Sequence, residues 1–487
     1  MSASAIALSL ISHTNAGKTT LARTLLGRDI GEVRDAPHVT MEATPYSLQV
    51  TPEGDALVLW DTPGFGDSAR LARRLAQQSN PIGWFLSQIW DRFRDRPLYL
   101  SQQAVRNVRD QADIVLYLVN ASETPADAGY LAPELDVLTW MERPVFVLLN
   151  QTGPPRPQAE GEAEESRWRE AMGPRPLIRD VLTLDAFARC WVQEIVLLRA
   201  LAAAIPPAKR EGYDRLVAAW QARRNAQFDE AMAALAAPIA HAACDYVTLA
   251  NPSIKDKLRD AVRSIVANQK ETPDSQQAAR ALAGRLDAGV RESTSRLISI
   301  YGLEGRAADV VRDRLADHLR TDTPMHEGKA AMMGGVLSGA LSGLAADLAA
   351  GGLTLGAGTL IGAIAGTLGG AGLARGYNVL RGRTESAIRW DDELLNQLVT
   401  SALLRYLAVA HFGRGRGDWE QSEYPPFWQE IVQREVDARQ ASLSALWAQR
   451  EGDDASTGIE DALRPILADA TRAVLASLYP RARIGDS

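Results

Sequence analysis

Residues 5–11, Ala-Ile-Ala-Leu-Ser-Leu-Ile, form a short apolar run that leads directly into Ser12-His13-Thr14-Asn15-Ala16-Gly17-Lys18-Thr19-Thr20 and then the helical Leu21 to Leu26. A run this short and this apolar suits a strand buried on both faces, and the Gly-Lys-Thr that opens the next helix suits the tight turn between them. The order strand, loop, helix is that of a parallel α/β sheet. In such a loop, successive backbone N–H groups and the helix N-terminus make a cradle for a phosphate. Lys18 would reach the outer phosphate oxygens and the Thr19 hydroxyl a Mg²⁺ ion. The match to GxxxxGK[ST] departs at its first glycine, where this chain has Ser12.

Lysine usage strengthens the assignment. Arginine outnumbers lysine 47 to 6, and Lys18 is the only lysine in the first 208 residues. A compact ammonium and a guanidinium fork are not interchangeable, so this position requires a point charge.

A second apolar run, Ala56 to Trp60, ends in Asp61-Thr62-Pro63-Gly64. There a carboxylate can complete a Mg²⁺ shell, and the Gly64 N–H can bond a terminal phosphate. Between the two motifs lies a polar segment in which Thr40 is placed to reach both metal and phosphate, with Thr44 as its rival. Further apolar runs at 113–119 and 144–149 alternate with helical stretches, the second ending in Asn150-Gln151-Thr152-Gly153. The expected fold is a doubly wound, mostly parallel α/β domain over residues 1–205.

These motifs resemble the P-loop GTPases of the Era, TrmE and septin group, and more narrowly a bacterial GTPase family with a C-terminal domain of unknown function and a glycine-rich centre. The resemblance implies GTP and GDP as ligands with Mg²⁺. It assigns His13, Thr14, Asn15, Ala16, Gly17, Lys18, Thr19, Thr20, Gly64, Asn150 and Gln151 to the nucleotide, and Thr19, Thr40 and Asp61 to the metal. Lys18 and Thr40 carry the catalytic roles. It also implies dimerisation across the nucleotide faces, with Asn15 holding a K⁺ ion. Two departures stand out. The carboxylate that reads guanine is replaced by Gly153, leaving Asn150, or Asp185 from the next strand end, to approach the base. The water-positioning residue is replaced by Phe65, so hydrolysis should be slow. Two other readings stay open: a nucleotide-binding scaffold with negligible hydrolysis, and a P-loop switch with relaxed base specificity.

Residues 66–100 carry Ile82, Phe85, Leu86, Ile89, Trp90 and Phe93 at helical spacing, which predicts an amphipathic helix. It would either cover the domain's own core or present an effector surface. Ile205-Pro206-Pro207 marks a boundary, and helical character is expected over 206–329 and 377–487, with Trp390, Trp419, Trp428 and Trp447 as packing anchors. Between them, 14 of the 38 glycines fall within 330–376, spaced by four at 335, 339 and 343 and again at 358, 362, 366 and 370. This glycine-zipper pattern predicts a close-packed helical hairpin, either buried or inserted in a membrane. Basic residues flanking the pair would place both ends on the cytoplasmic side.

Composition bounds the rest. A net charge of -7 over 487 residues argues against nucleic acid as the main partner, and 46% hydrophobic residues exclude global disorder. Two cysteines with no CxxC leave neither a disulfide framework nor a thiolate metal site and fit a reducing cytoplasm. The apolar run at 5–11 lacks a basic flank and a cleavage site, so a strand is expected there and not a signal peptide.

Overall fold

The computed structural model describes residues 3–28, 30, 42–88, 95–153, 155–249, 273–303, 373–374, 386–413, 425–451 and 455–482. Thr40, Trp419, and the glycine-rich segment apart from residues 373–374, lie outside them. The chain divides into two compact units. The first comprises residues 1–227 with 410–421 and 475–487, and the second 228–409 with 422–474.

In the first unit, β1 (Ala5–Ser12), β2 (Thr44–Val50), β3 (Ala56–Asp61), β4 (Ile114–Asn120), β5 (Val145–Asn150) and β6 (Ile178–Thr183) form one sheet in the order β2-β3-β1-β4-β5-β6. Only β2 runs antiparallel, against β3. The helices are α1 (Lys18–Leu26), α2 (Ser68–Leu75), α3 (Pro81–Ser87), α4 (Arg96–Asp110), α5 (Leu131–Thr139), α6 (Gln158–Met172), α7 (Trp191–Leu201) and the first half of α8 (Arg210–Cys244). The central strands are apolar because both faces are covered; every residue of β5 is buried. Parallel registry brings the carboxyl ends of β1, β3, β4 and β5 to one edge, with Leu10 opposite Asp61 and Asn120 opposite Asn150. In open α/β sheets that edge is where ligands bind.

The segment after β3 does not form one long helix. Asn80 caps α3 through its side chain, Pro81 opens it, and Gln88 ends it by turning extended. Ile82 and Phe85 are buried in the core cluster, and Trp84 and Leu86 pack on it partly buried. In the described part of this segment the apolar residues therefore cover the domain's own core.

An ion pair ties α8 to the sheet. Arg215 bonds both carboxylate oxygens of Asp55, at 2.7 and 3.2 Å, and the Ser4 N–H adds a third bond at 2.8 Å. The Arg215 hydrogen bonds, then that of Ser4, hold the Asp55 carboxyl down at about 2. A carboxyl depressed in the fold contributes stability above its ordinary value and loses it as pH falls towards the depressed one. Arg215→Ala should therefore destabilise the fold at every pH above about 4 and move the acid-unfolding midpoint to higher pH, with the difference from the parent fading as pH falls from about 4 to 2, as followed by circular dichroism.

The second unit holds the remainder of α8, α9 (Pro273–Ile300), α10 (Asp392–Ala410) up to residue 409, α11 (Pro426–Asp437), α12 (Gln440–Trp447), and α13 (Ala455–Leu478) up to residue 474. Trp390, Trp428 and Trp447 are buried in it, as expected of packing anchors. A small antiparallel sheet was not expected: β7 (Tyr246–Leu249), β8 (Leu373–Ala374) and β9 (Ser386–Trp390) in the order β7-β9-β8. Its sequence signal is the run Tyr-Val-Thr-Leu, which is rich in strand-forming side chains but only four residues long. Among the described residues no helix is long and apolar enough to cross a membrane.

Candidate functional site

The loop between β1 and α1 has the backbone that a phosphate cradle requires. Asn15 and Gly17 take left-handed conformations, with φ of 66° and 88°. Asparagine is one of the few non-glycine residues that enter this region readily. Gly17 is required twice over, since a Cβ there would also lie 2.5 Å from Asn150 Nδ2. Asn15 is exposed at the tip, while Ala16 and Lys18 are buried. Thr20 is buried on the first turn of α1.

Lys18 points back over the loop. Its Nζ donates to Ser12 Oγ at 2.8 Å, so the serine that breaks the motif at its first position supplies an acceptor. Burial pushes the ammonium down to about 8, against the opposing pull of Asp61 and Glu134. Incoming phosphates would act in the same sense as those carboxylates and favour the charged form.

Thr19 Oγ1 donates to Asp61 Oδ2 at 2.6 Å. Asp61 Oδ1 is buried with no hydrogen-bond partner. Burial raises the Asp61 carboxyl above its ordinary range, opposed by Thr19, Lys18 and Arg23. A hydroxyl and a carboxylate side by side, one oxygen of which lacks a partner, form a hard-oxygen pair that fits Mg²⁺. Thr44, the rival to Thr40, is cross-strand from Asp61 but exposed, and its hydroxyl is 3.5 Å from Glu42 O.

The strand after Asp61 is laced to the cradle. Phe65 N–H donates to Ser12 O at 2.9 Å, and Thr14 donates to Phe65 O through both its N–H and its hydroxyl. The Phe65 side chain is fully buried in the core cluster. Gly64 lies so close that a Cβ would be 3.0 Å from both Lys18 Nζ and Thr14 Cα.

His13 packs against the start of α5. Its Nδ1 lies 2.7 Å from Glu134 Oε1, and its ring stacks on Tyr130. Glu134 is fully buried on α5 and also accepts from Ser68 at the start of α2 and from Tyr117 of β4, the latter at 2.8 Å. This carboxylate joins the phosphate loop to the segment following Gly64. Sequence reasoning missed it, although Glu134 occupies the same helical face as Leu131, Leu135 and Leu138, where a charge is out of place.

At the base side, Asn150 is fully buried. Its Nδ2 donates to Ala16 O at 2.7 Å and its Oδ1 accepts from Ala186 N at 2.8 Å. Gln151, at φ 59°, lays its amide near Gly17. Asp185 accepts from the Thr152 N–H at 2.6 Å, the Thr152 hydroxyl at 2.9 Å and the Phe187 N–H at 2.8 Å. Burial raises its carboxyl, and these donors oppose the shift. Gly153 has φ 85°, and the nearest atom to an added Cβ would be Arg156 Nη2 at 3.7 Å.

This arrangement is that of a P-loop nucleotide-binding domain, and residues 8–151 match the model described as 50S ribosome-binding GTPase. Residues 174–465, more than half of the chain, match the model described as domain of unknown function DUF3482, and the chain belongs to that family. No curated protein matches. Among solved structures, Era in complex with MgGDPNP and a segment of 16S ribosomal RNA is 16% identical, over 42% of this chain and 58% of that one, with a TM-score of 0.30. The chain thus spans somewhat over half the length of that structure. Aquifex aeolicus Era, as a variant bound to GDP and AlF4⁻, is 13% identical over 61% of this chain and 99% of that one, at a TM-score of 0.29. A bacterial dynamin pair is 9% identical over 98% and 69%, at 0.25.

Proposed function

We propose that the protein is a guanine-nucleotide switch that binds GTP with Mg²⁺ and hydrolyses it slowly. The observation that carries this is the Thr19–Asp61 pair with its partnerless buried oxygen, set beside the buried Lys18. The metal, held through Thr19 and Asp61, would neutralise charge developing on the phosphates. Lys18 binds the outer phosphate oxygens, the backbone from Thr14 to Thr19 orients them, and Gly64 presents its N–H. Thr40 belongs to this proposal as the residue that closes on metal and terminal phosphate.

Phe65 offers no group to orient water, so speed must come from elsewhere. The exposed amide of Asn15 suits a K⁺ ion at an interface between two copies. Attachment to the cytoplasmic face of a membrane through residues 330–374 is the remaining part of the proposal and rests on the spacing of small residues there. Gly153 favours a second reading, a P-loop switch that does not distinguish bases.

Competition of GTP, GDP and ATP against a fluorescent GDP on the full chain with Mg²⁺ separates these readings, followed by GTP turnover at rising protein concentration in KCl and in NaCl. Guanine nucleotides should compete at least about tenfold better than ATP, the equivalent of one good hydrogen bond to the base. Specific turnover should rise with concentration and be faster in KCl. Equal competition by ATP overturns the guanine assignment. Turnover that is flat with concentration and equal in both salts leaves a binding scaffold.

A further inference from the structure

The loop that follows β6 is held from a quarter that the nucleotide motifs do not predict. Ala186 donates its N–H to Asn150 Oδ1 at 2.8 Å, and its carbonyl accepts from Thr24 Oγ1 of α1 at 2.9 Å. Through these two bonds the loop is fixed to both the end of β5 and the helix that leaves the phosphate cradle. On its other side lie residues 410–413, which belong to the same compact unit although they follow it by more than two hundred positions. Gly413 N–H donates to Phe187 O at 3.0 Å, and Ala188 and Phe412 form an antiparallel bridge. The strap is itself anchored: His411 is buried, and its Nε2 lies 2.7 Å from the hydroxyl of Tyr479, on which the ring stacks.

Gly413 is in van der Waals contact with the loop backbone. A Cβ there would lie 2.1 Å from Ala186 O, 2.6 Å from Ala186 C and 2.7 Å from Phe187 C. All three are main-chain atoms with no rotamer in which to retreat. The carbonyl that would be struck is the one that Thr24 holds, and the same residue's N–H holds Asn150, whose amide in turn holds Ala16 of the cradle. A shift at residue 413 therefore bears directly on the base-side loop, and meets the phosphate side through Thr24 on the second turn of α1 and, by a longer route, through Asn150 to Ala16.

We propose that residues 410–413 form a base-side strap, in which Gly413 is a positioning residue that sets the Ala186–Phe187 backbone and so determines how the site selects among bases. The proposal rests on the nucleotide-switch reading above and adds the element that compensates for Gly153. With Gly153 in place of a carboxylate, discrimination falls to Asn150 and Asp185, and the N–H groups of Ala186 and Phe187 are what hold those two side chains in place.

The test measures binding of Mg-GDP, Mg-ADP and Mg-pyrophosphate to the full-length protein and to Gly413→Ala, by displacement of a fluorescent diphosphate. Pyrophosphate has no base and reports the cradle alone. The expected result is a loss of at least about tenfold in GDP affinity and a fall in the GDP-to-ADP ratio, with pyrophosphate affinity within about twofold of the parent. An unchanged GDP-to-ADP ratio in Gly413→Ala overturns the proposal, as does an equal loss for pyrophosphate, which would mark a purely structural role. Phe412→Leu loosens the strap without inserting an atom into the loop. If Gly413→Ala does not fold by circular dichroism, Phe412→Leu decides, with a smaller loss in the same ratio expected and no loss overturning the proposal. A parent protein that binds GDP and ADP equally fails the guanine reading. The strap is then judged by whether Gly413→Ala weakens both diphosphates but spares pyrophosphate.

Discussion

Lys18→Ala should abolish nucleotide binding in practice, lowering GDP and GTP affinity by at least about a hundredfold, the loss expected for two charge-assisted hydrogen bonds to phosphate oxygens. The geometry adds a second expectation. Lys18 is the cation between two buried carboxylates, Asp61 and Glu134, and is packed against Gly64 and Ser12 with little room beyond its own width. A guanidinium is larger and planar, so Lys18→Arg should fail almost as completely even though the charge is retained. Titration with a fluorescent GDP, alongside circular dichroism to confirm the fold, provides the measurement. Binding of either variant within threefold of the parent would remove Lys18 from the phosphate site.

Asn150→Ala should act first on the empty protein. Its amide serves two buried main-chain groups, Ala16 C=O and Ala186 N–H, and alanine leaves both without a partner. Each orphaned group costs about 1–3 kcal/mol, so a loss of about 2–6 kcal/mol is expected. At about 2–4 °C per kcal/mol for a unit of this size, the melting temperature without nucleotide should fall by about 4–24 °C in calorimetry. A variant with an unchanged empty-state melting temperature but weakened nucleotide affinity would show that Asn150 touches the base and is not a strut between the two loops.

Asn150 also shows where sequence reading reached its limit. The run before it announced a strand, because a parallel strand covered on both faces is apolar along its whole length, and the same logic located β1, β3 and β4. The motif Asn-Gln-Thr-Gly announced a base-side loop. What the amide does there depends on Ala16 and Ala186, two alanines from distant segments with nothing in their side chains to mark them. Glu134 was missed for a related reason, since its partners His13, Ser68 and Tyr117 lie on three separate elements. The aromatic segment after β3 was overextended as a single helix because periodicity registers apolar spacing but not that Pro81 starts a new helix and Gln88 leaves it. Gly413 carried no local signal at all; its requirement comes from a backbone approach across the sheet's edge.

The strap and residues 479–481 bear on how the molecule is made. His411 meets Tyr479, and Arg481 pairs with Glu165 and Asp180, 316 and 301 positions away, so the nucleotide-binding unit draws on residues far apart in the sequence. Synthesis delivers the phosphate cradle well before these closing pieces. During translation the sheet can form, but the loop beside the base lacks its outer support until residues 410–413 and 479–481 have left the ribosome. Long-range closure of this kind slows folding and links a finished nucleotide site to the arrival of these later segments. A chain broken off early would carry the motifs of a switch without the braces that hold its base side in place.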